Sequence, residues 1–226
     1  MSQNEPDWAA EAEQQLLDAA LSLVSEEGWT SRLATMAGKA CGFSAGETEL
    51  LLPQGPADLA ALLSRRHDAR ALEKLTDIDP KTLKIRERIA RGVEARLAAA
   101  AEDELAVRRL TGFLTLPPNM ALGVRLSWET ADALWRWAGD TATDENHYSK
   151  RVLLAGILSG ATAIQLSSGR DAALAFTDRR IANVMAFEKW KATTRLKPSA
   201  MMDAVAASLG RMRYGTSSRP SADSAR

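Results

Sequence analysis

Apolar residues recur along this chain at a helical period and almost nowhere alternate, and that one feature decides the fold class. Between Asp7 and Glu27, Leu16, Leu17, Ala20, Leu21 and Val24 share one stripe, and the run stops at Gly28. No alternating β-branched stretch bounded by hairpin turns occurs, so a sheet is not expected and the class is all-α. Hydrophobic residues are 46% of the 226, enough to bury a substantial core.

Turn signals divide the pattern. Ser31 is expected to cap a second helix running through Ala40, Gly42-Phe43-Ser44 to turn, and Gly46 to Leu52 to form a short third helix stopped by Pro53. Pro56 or Asp58 opens a fourth helix to about Leu75, and Asp79-Pro80 a fifth carrying Ile85, Ile89, Val93 and Leu97. Leu105 to Leu116 follows, ended by Pro117-Pro118, and Asn119 is expected to cap a helix that reaches Ala138 before Gly139. Thr143 or Asp144 caps the apolar helix to about Ser168, and beyond Gly169 another begins at Asp171. The expected organisation is a helix-turn-helix-like segment over 7–56, a helical ligand-binding and dimerisation domain over 57–197, an amphipathic helix over 198–214 and a disordered tail over 215–226.

Twenty-nine bases balance 29 acids, so no global field draws nucleic acid, and any charged partner must be met by a local patch. The lone Cys41 excludes an internal disulfide and a cysteine-based zinc site, suits a reducing cytoplasm, and reads as a small buried residue. The first eight residues carry neither a basic start nor an apolar run, so no targeting segment is expected. The most apolar run, Val152 to Leu166, is shorter than the ~20 residues that span a bilayer and reads as a core helix.

Chemistry-bearing patterns are sparse. His67 and His147 are the two histidines, neither in a metal spacing, and His67 in Arg65-Arg66-His67-Asp68 reads as a polar-face residue. No glycine-rich phosphate loop, nucleophile elbow or Cys-His pair can be assembled. Neither an enzyme nor a metal or other cofactor is expected, and binding is the default.

The first three helices, with Leu16-Leu17-Asp18-Ala19-Ala20 and Gly28-Trp29, resemble the N-terminal domain of TetR-family regulators. In that family the third helix enters the major groove and holds phosphates with basic and aromatic residues. Here it reads Glu47-Thr48-Glu49-Leu50-Leu51-Leu52, with two acids and no base, and across 31–52 the bases are Arg32 and Lys39 alone. DNA binding draws on neutralised phosphates and released counterions, so DNA is not expected as a partner.

A longer pattern runs from Trp135 to Arg151. Trp135, Trp137, Ala138-Gly139-Asp140, Thr143-Asp144, Asn146, Tyr148 and Lys150-Arg151 resemble the signature of the Coq-nine family of ubiquinone (coenzyme Q) biosynthesis accessory proteins, as does Leu116-Pro117-Pro118-Asn119 upstream. Residue by residue, simpler roles also suffice: Gly139 ends a helix, Asp144 caps the next, the tryptophans pack and the bases are solvated. The resemblance implies a TetR-like fold, binding of an isoprenoid, quinone-type or other lipid in an apolar cavity, and work with the di-iron demethoxyubiquinone hydroxylase. It assigns Trp135, Asp144, His147 and Tyr148 to the partner patch, with His147 where mitochondrial relatives carry tryptophan. A peripheral place at a bacterial inner membrane, on the cytoplasmic side, goes with it. The competing reading is a TetR-like regulator answering to a lipid or acyl ligand.

Leu110, Phe113, Leu114, Met120, Leu126, Trp128, Leu153, Leu154, Ile157, Ile181 and Met185 are the expected cavity lining, and the same residues also suit an ordinary core. Gly156 and Gly160 lie on one helix face, which permits either tight core packing or a subunit contact in a homodimer. From Lys189 to Arg213 six bases face one acid, and Met201, Met202, Val205, Leu209 and Met212 form a stripe flanked by Arg211 and Arg213. Such a helix suits either a membrane surface or protein packing, and the resemblance favours the membrane.

Overall fold

The computed structural model describes residues 8–141 and 145–193, with the side chains of 145–146 and 187–193 excepted. The described residues form helices α1 (Trp8–Glu27), α2 (Ser31–Ala40), α3 (Ala45–Leu51), α4 (Pro56–Lys74), α5 (Ile85–Ala101), α6 (Glu104–Thr115), α7 (Met120–Trp137), α8 (Glu145–Ser168) and α9 (Arg170–Thr193). Two short 3-10 turns, Pro80–Thr82 and Pro117–Asn119, precede α5 and α7, and no strand occurs among the described residues. The chain divides into two units between Ile181 and Ala182, and the architecture below is that of the first.

The helices and their spans follow the turn signals closely, but several caps differ. Thr30, not Ser31, caps α2, its hydroxyl accepting from the Leu33 N–H at 3.3 Å. Asn119 stands at the N-cap of α7 as expected but makes no side-chain cap bond; its amide donates instead to the Phe113 carbonyl at 3.0 Å. Asp79-Pro80 opens a 3-10 turn rather than α5 itself, and α9 starts at Arg170, one residue before Asp171. The expected caps Thr143 and Asp144, the amphipathic helix over 198–214 and the tail over 215–226 lie outside the described residues.

Two apolar cores organise the fold, and α4 threads both. The first gathers Leu16, Leu17, Ala20 and Val24 of α1 with Leu33 and Ala37 of α2, Leu59 and Leu63 of α4, and Ala106 and Leu110 of α6. Gly38 lets α2 and α3 close on each other, since a Cβ there would overlap the Thr48 side chain. The second joins Ala71 and Leu75, past the midpoint of α4, to Val93 and Leu97 of α5, Leu134 of α7, and Leu154, Leu158 and Ala161 of α8. Each fully buried leucine contributes roughly 1.5–3 kcal/mol of transfer free energy.

Between these cores α4 carries a polar seam. His67 is 1% exposed, so it is a core residue and not a polar-face one: its Nε2 lies 2.9 Å from Asp103 Oδ2. Arg70 reaches the same oxygen at 3.2 Å. Beside it, Asp68 accepts from Arg96 Nε at 2.6 Å and from the Thr130 hydroxyl at 2.9 Å. Burial, seconded by the Arg96 charge, pushes His67 down to about 4 against the pull of Asp103, so the neutral ring donates to the carboxylate near pH 7. Burial pushes the Asp68 carboxyl up, with Arg96 opposing.

The helix α8 is long and apolar enough, over His147–Ser168, to cross a membrane. The apolar run thus belongs to a longer helix than 152–166. Arg151, Leu154, Leu158 and Ala161 along one stripe are buried within this unit, so α8 packs one face on the second core, with 28% of the apolar stretch buried.

Candidate functional site

The Trp135–Arg151 pattern folds into a clasp joining α7 to α8. Its first half ends α7 in a Schellman turn: the Asp140 N–H reaches the Trp135 carbonyl and the Gly139 N–H that of Arg136, each at 3.0 Å. Gly139 sits at φ +86°, the left-handed region where a Cβ is strained. Arg88 of α5 closes the helix end, donating to the carbonyls of Ala138 at 2.7 Å and Leu83 at 3.0 Å.

The second half supplies cations to the carboxylates thus aimed. Arg151, 1% exposed, donates through Nε to Asp132 at 2.6 Å and through Nη1 to Asp140 at 3.1 Å. The same Nη1 holds the His147 carbonyl at 3.1 Å, one turn back. Lys150 Nζ lies 2.6 Å from the other Asp140 oxygen and 5.3 Å from the centre of the Trp135 ring, whose N–H donates to the Lys150 carbonyl at 3.1 Å. Burial alone would raise the Asp140 carboxyl, but hydrogen bonds from Lys150 and Arg151, with their charges, hold it below the usual range.

Beside this network the hairpin carries a face without acid, lysine or arginine. Trp128 of α7 stacks tilted against Tyr148 and His147 of α8, with ring centres 5.9 and 6.3 Å apart, and His147 meets Tyr148 edge-on at 5.2 Å. One turn from this cluster along each helix, Val124 of α7 and Val152 of α8 are both exposed. Tyr148 at 63%, Val152 at 61% and Leu153 at 45% exposure leave an aromatic and aliphatic strip facing solvent.

The residues expected in the partner patch therefore separate. His147 and Tyr148 lie together on the outer strip, Trp135 is turned into the clasp, and Asp144 lies outside the described residues. The expected cavity lining is not gathered around one space. Leu110, Phe113 and Leu114 belong to the first core, and Leu154, Ile157 and Ile181 to the second. Leu126 is buried and Trp128 half-buried, while Met120, Leu153 and Met185 are exposed. An open groove of about 410 Å³ instead lies between α4 and α7, lined by Leu72, Glu129, Asp132, Ala133, Arg136 and Trp137. Gly160 packs on Phe176 of α9, a Cβ there meeting the ring at 2.8 Å, whereas Gly156 is open. Met201, Met202, Val205, Leu209, Met212, Arg211 and Arg213 lie outside the described residues.

Helix α3 spends its N-terminus on itself. The Ser44 hydroxyl accepts from the Glu47 N–H at 3.2 Å, and Glu47 accepts from the Ser44 N–H at 2.8 Å. Hydrogen bonding by Ser44, side chain first and backbone second, holds the Glu47 carboxyl below its usual range. The helix end that would attract a phosphate thus carries a carboxylate. Half-buried Cys41 places its Sγ 3.4 Å from the Gln15 carbonyl, and burial, then Asp18, raises its thiol. Among the described residues, no group of three or more His, Cys, Asp or Glu is arranged to hold a metal.

The fold and clasp define an all-α protein in which a three-helix head shares its fourth helix with a body closed by an α7–α8 hairpin. Residues 120–188, which begin at α7 and include the whole hairpin, match the family model described as COQ9. The chain is 26% identical over 196 residues to the rat protein named "Ubiquinone biosynthesis protein COQ9, mitochondrial", covering 81% of this chain and 62% of that one. It is 29% identical to COQ9-A of Xenopus laevis over 68% of this chain and 50% of that one. The human COQ9 protein is 25% identical over 73% of this chain and 54% of its own length. The chain is similar to the COQ9 family, most directly over residues 120–188, and it spans 50–62% of the length of these three relatives.

Proposed function

We propose that this chain is a non-catalytic accessory protein of ubiquinone biosynthesis, whose α7–α8 face receives an isoprenoid or quinone-type lipid and meets the demethoxyubiquinone hydroxylase. The observation that carries the reading is the outer strip of Trp128, His147, Tyr148, Val152 and Leu153, which holds no acid, lysine or arginine and exposes Tyr148, Val152 and Leu153 beside the buried Arg151 and its two aspartates. A protein that kept this surface for water alone would gain nothing from removing charge from it. Rigid aromatic anchors in an apolar patch are what a protein interface uses to concentrate binding energy.

Lipid is received along this face, since the expected lining residues divide between two cores. The basic, Met-striped segment over 199–214, outside the described residues, brings the chain peripherally to a membrane. The names of the mitochondrial relatives place them in ubiquinone biosynthesis, and the family match lies over the hairpin.

The reading is tested with purified hydroxylase. Tyr148→Ala, at an exposed position, should leave the melting temperature within a degree or two of the parent while weakening hydroxylase binding on the order of tenfold or more. Unchanged binding in calorimetric titration would remove this face from the partner contact. Solvent extraction of the purified protein followed by mass spectrometry should recover an isoprenoid quinone or related lipid, and a preparation with none would overturn lipid receipt.

A further inference from the structure

The corner between α6 and α7 is built unlike the other turns of the fold. From Thr111 to Val124 the chain carries no charge, and across the 24 residues 105–128 it holds three arginines and no acid. At its tip Leu116 is 51% exposed, Met120 55% and Val124 71%, with Pro117 and Pro118 exposed between them. The inner side is anchored: Phe113, Leu114 and Leu122 pack on the first core, and Gly123 lets α7 approach Leu114, a Cβ there meeting the Leu114 Cβ at 3.4 Å.

The polar groups of this corner are turned onto the corner itself. The Thr115 hydroxyl donates to the Gly112 carbonyl at 2.8 Å and the Asn119 amide to that of Phe113 at 3.0 Å. The N–H groups of Leu116 and Asn119 meet the carbonyls of Phe113 and Leu116, and the two prolines have no N–H to satisfy. Such a tip enters an apolar phase at little cost in unpaired backbone groups.

Cations flank it at a suitable depth. Arg108 is eight residues before Leu116 and Arg125 six after Asn119, roughly 12 and 9 Å along their helices. Apolar faces of peripheral proteins sink about 5–10 Å into the headgroup boundary, which brings both guanidinium groups to the phosphates. Each is about half exposed with a glutamate one turn away on its own helix, Glu104 and Glu129, and Arg108 Nη2 also donates to the Leu166 carbonyl of α8 at 2.6 Å, so its Nη1 and Nε are what it can offer a headgroup. The third arginine, Arg109, donates to the Ser25 carbonyl at the end of α1.

We propose that the α6–α7 corner is a membrane-docking tip, inserting Leu116, Pro117, Pro118, Met120 and Val124 into an anionic bilayer with Arg108 and Arg125 at its headgroups. A convex, uncharged turn flanked by cations fits a deformable lipid surface, whereas a protein groove would be met by pairs matched in shape and charge. The tip adjoins the proposed partner strip on α7 but is independent of it and of the segment over 199–214, so each can fail alone.

The test uses the full chain with Cys41→Ser and one new cysteine, Leu116→Cys or Leu50→Cys, bearing an environment-sensitive dye. Leu50, 75% exposed on α3, is the apolar control. On vesicles of phosphatidylcholine and phosphatidylglycerol, the dye at 116 should shift to the blue and the dye at 50 should not. In the unlabelled chain, Met120→Glu with Val124→Glu should lower sedimentation with the same vesicles on the order of tenfold, the helical circular dichroism being unchanged. An unshifted dye at 116 on these vesicles overturns the proposal, as does a shift that appears only when hydroxylase is added, which would make the corner a protein contact.

Discussion

The head and the α7–α8 hairpin handle charge in opposite ways. On α3 the acids face water, with Glu47 closing its own helix end and Glu49 beside it. In the hairpin a fully buried arginine gathers two aspartates, and beside them lies an exposed aromatic and aliphatic strip. A surface that is charged and self-satisfied has little to offer a partner, while one from which charge has been withdrawn is suited to apolar contact. The proposed function accordingly rests on the hairpin and not on the head.

The largest expected effect lies where the hairpin's charges converge. Arg151→Met keeps much of the side chain's volume but removes the buried cation between the two aspartates, leaving Asp132 to the exposed Arg136 and Asp140 to Lys150, and should cost about 3–4 kcal/mol in denaturant unfolding. A loss below ~1 kcal/mol would show that water replaces the guanidinium and that the clasp is solvated, not buried. The polar seam on α4 comes next. Its His67 is depressed from 6.5 to about 4, so the stability it contributes is present above pH 6.5 and lost as pH falls toward 4. The full effect is about 3 kcal/mol. Asp68, raised by burial, works in the opposite direction, so the His67 part is read as the difference between the parent and His67→Gln. Parallel pH-stability curves for the two would contradict the assignment. A smaller loss, about 1–2 kcal/mol, is expected for Gly139→Ala at its positive φ, measured by thermal unfolding.

Much of this fold was legible because its helices are punctuated locally. Gly28, Gly42, Gly55, Gly139 and Gly169 all hold positive φ at turns, and each stands in the sequence where the apolar stripe breaks. What local pattern could not supply is which distant groups meet. His67 shares the i, i+3, i+4 stripe of Leu63, Ser64 and Ala71, a signal of burial that was available, but its partner Asp103 is 36 residues away. Arg151 looked like a solvated base because its buried partners Asp132 and Asp140 lie on another helix and beyond a loop. Periodicity likewise marks Leu110 and Leu154 as inward-facing without telling that they face two different cores. The tyrosine and histidine of the outer strip came from the family pattern, while Trp128, their stacking partner, was expected as cavity lining.

The smallest expected effect tests the other side of the comparison. If the head is silent toward DNA because it lacks cations, removing its acids should not awaken it. Glu47→Gln preserves the reciprocal cap, since glutamine can accept from the Ser44 N–H as glutamate does, and Glu49→Gln removes the second charge. That double variant still has only Arg32 and Lys39 across 31–52. Affinity for duplex depends on the number of phosphates neutralised, and two bases release too few counterions for tight binding. Parent and variant should both fail to shift random duplex at sub-micromolar concentration in low salt, differing by no more than a few-fold. A parent that binds would move function back to the head. A variant that binds where the parent does not would mean that repulsion by two carboxylates, not missing cations, keeps the head silent.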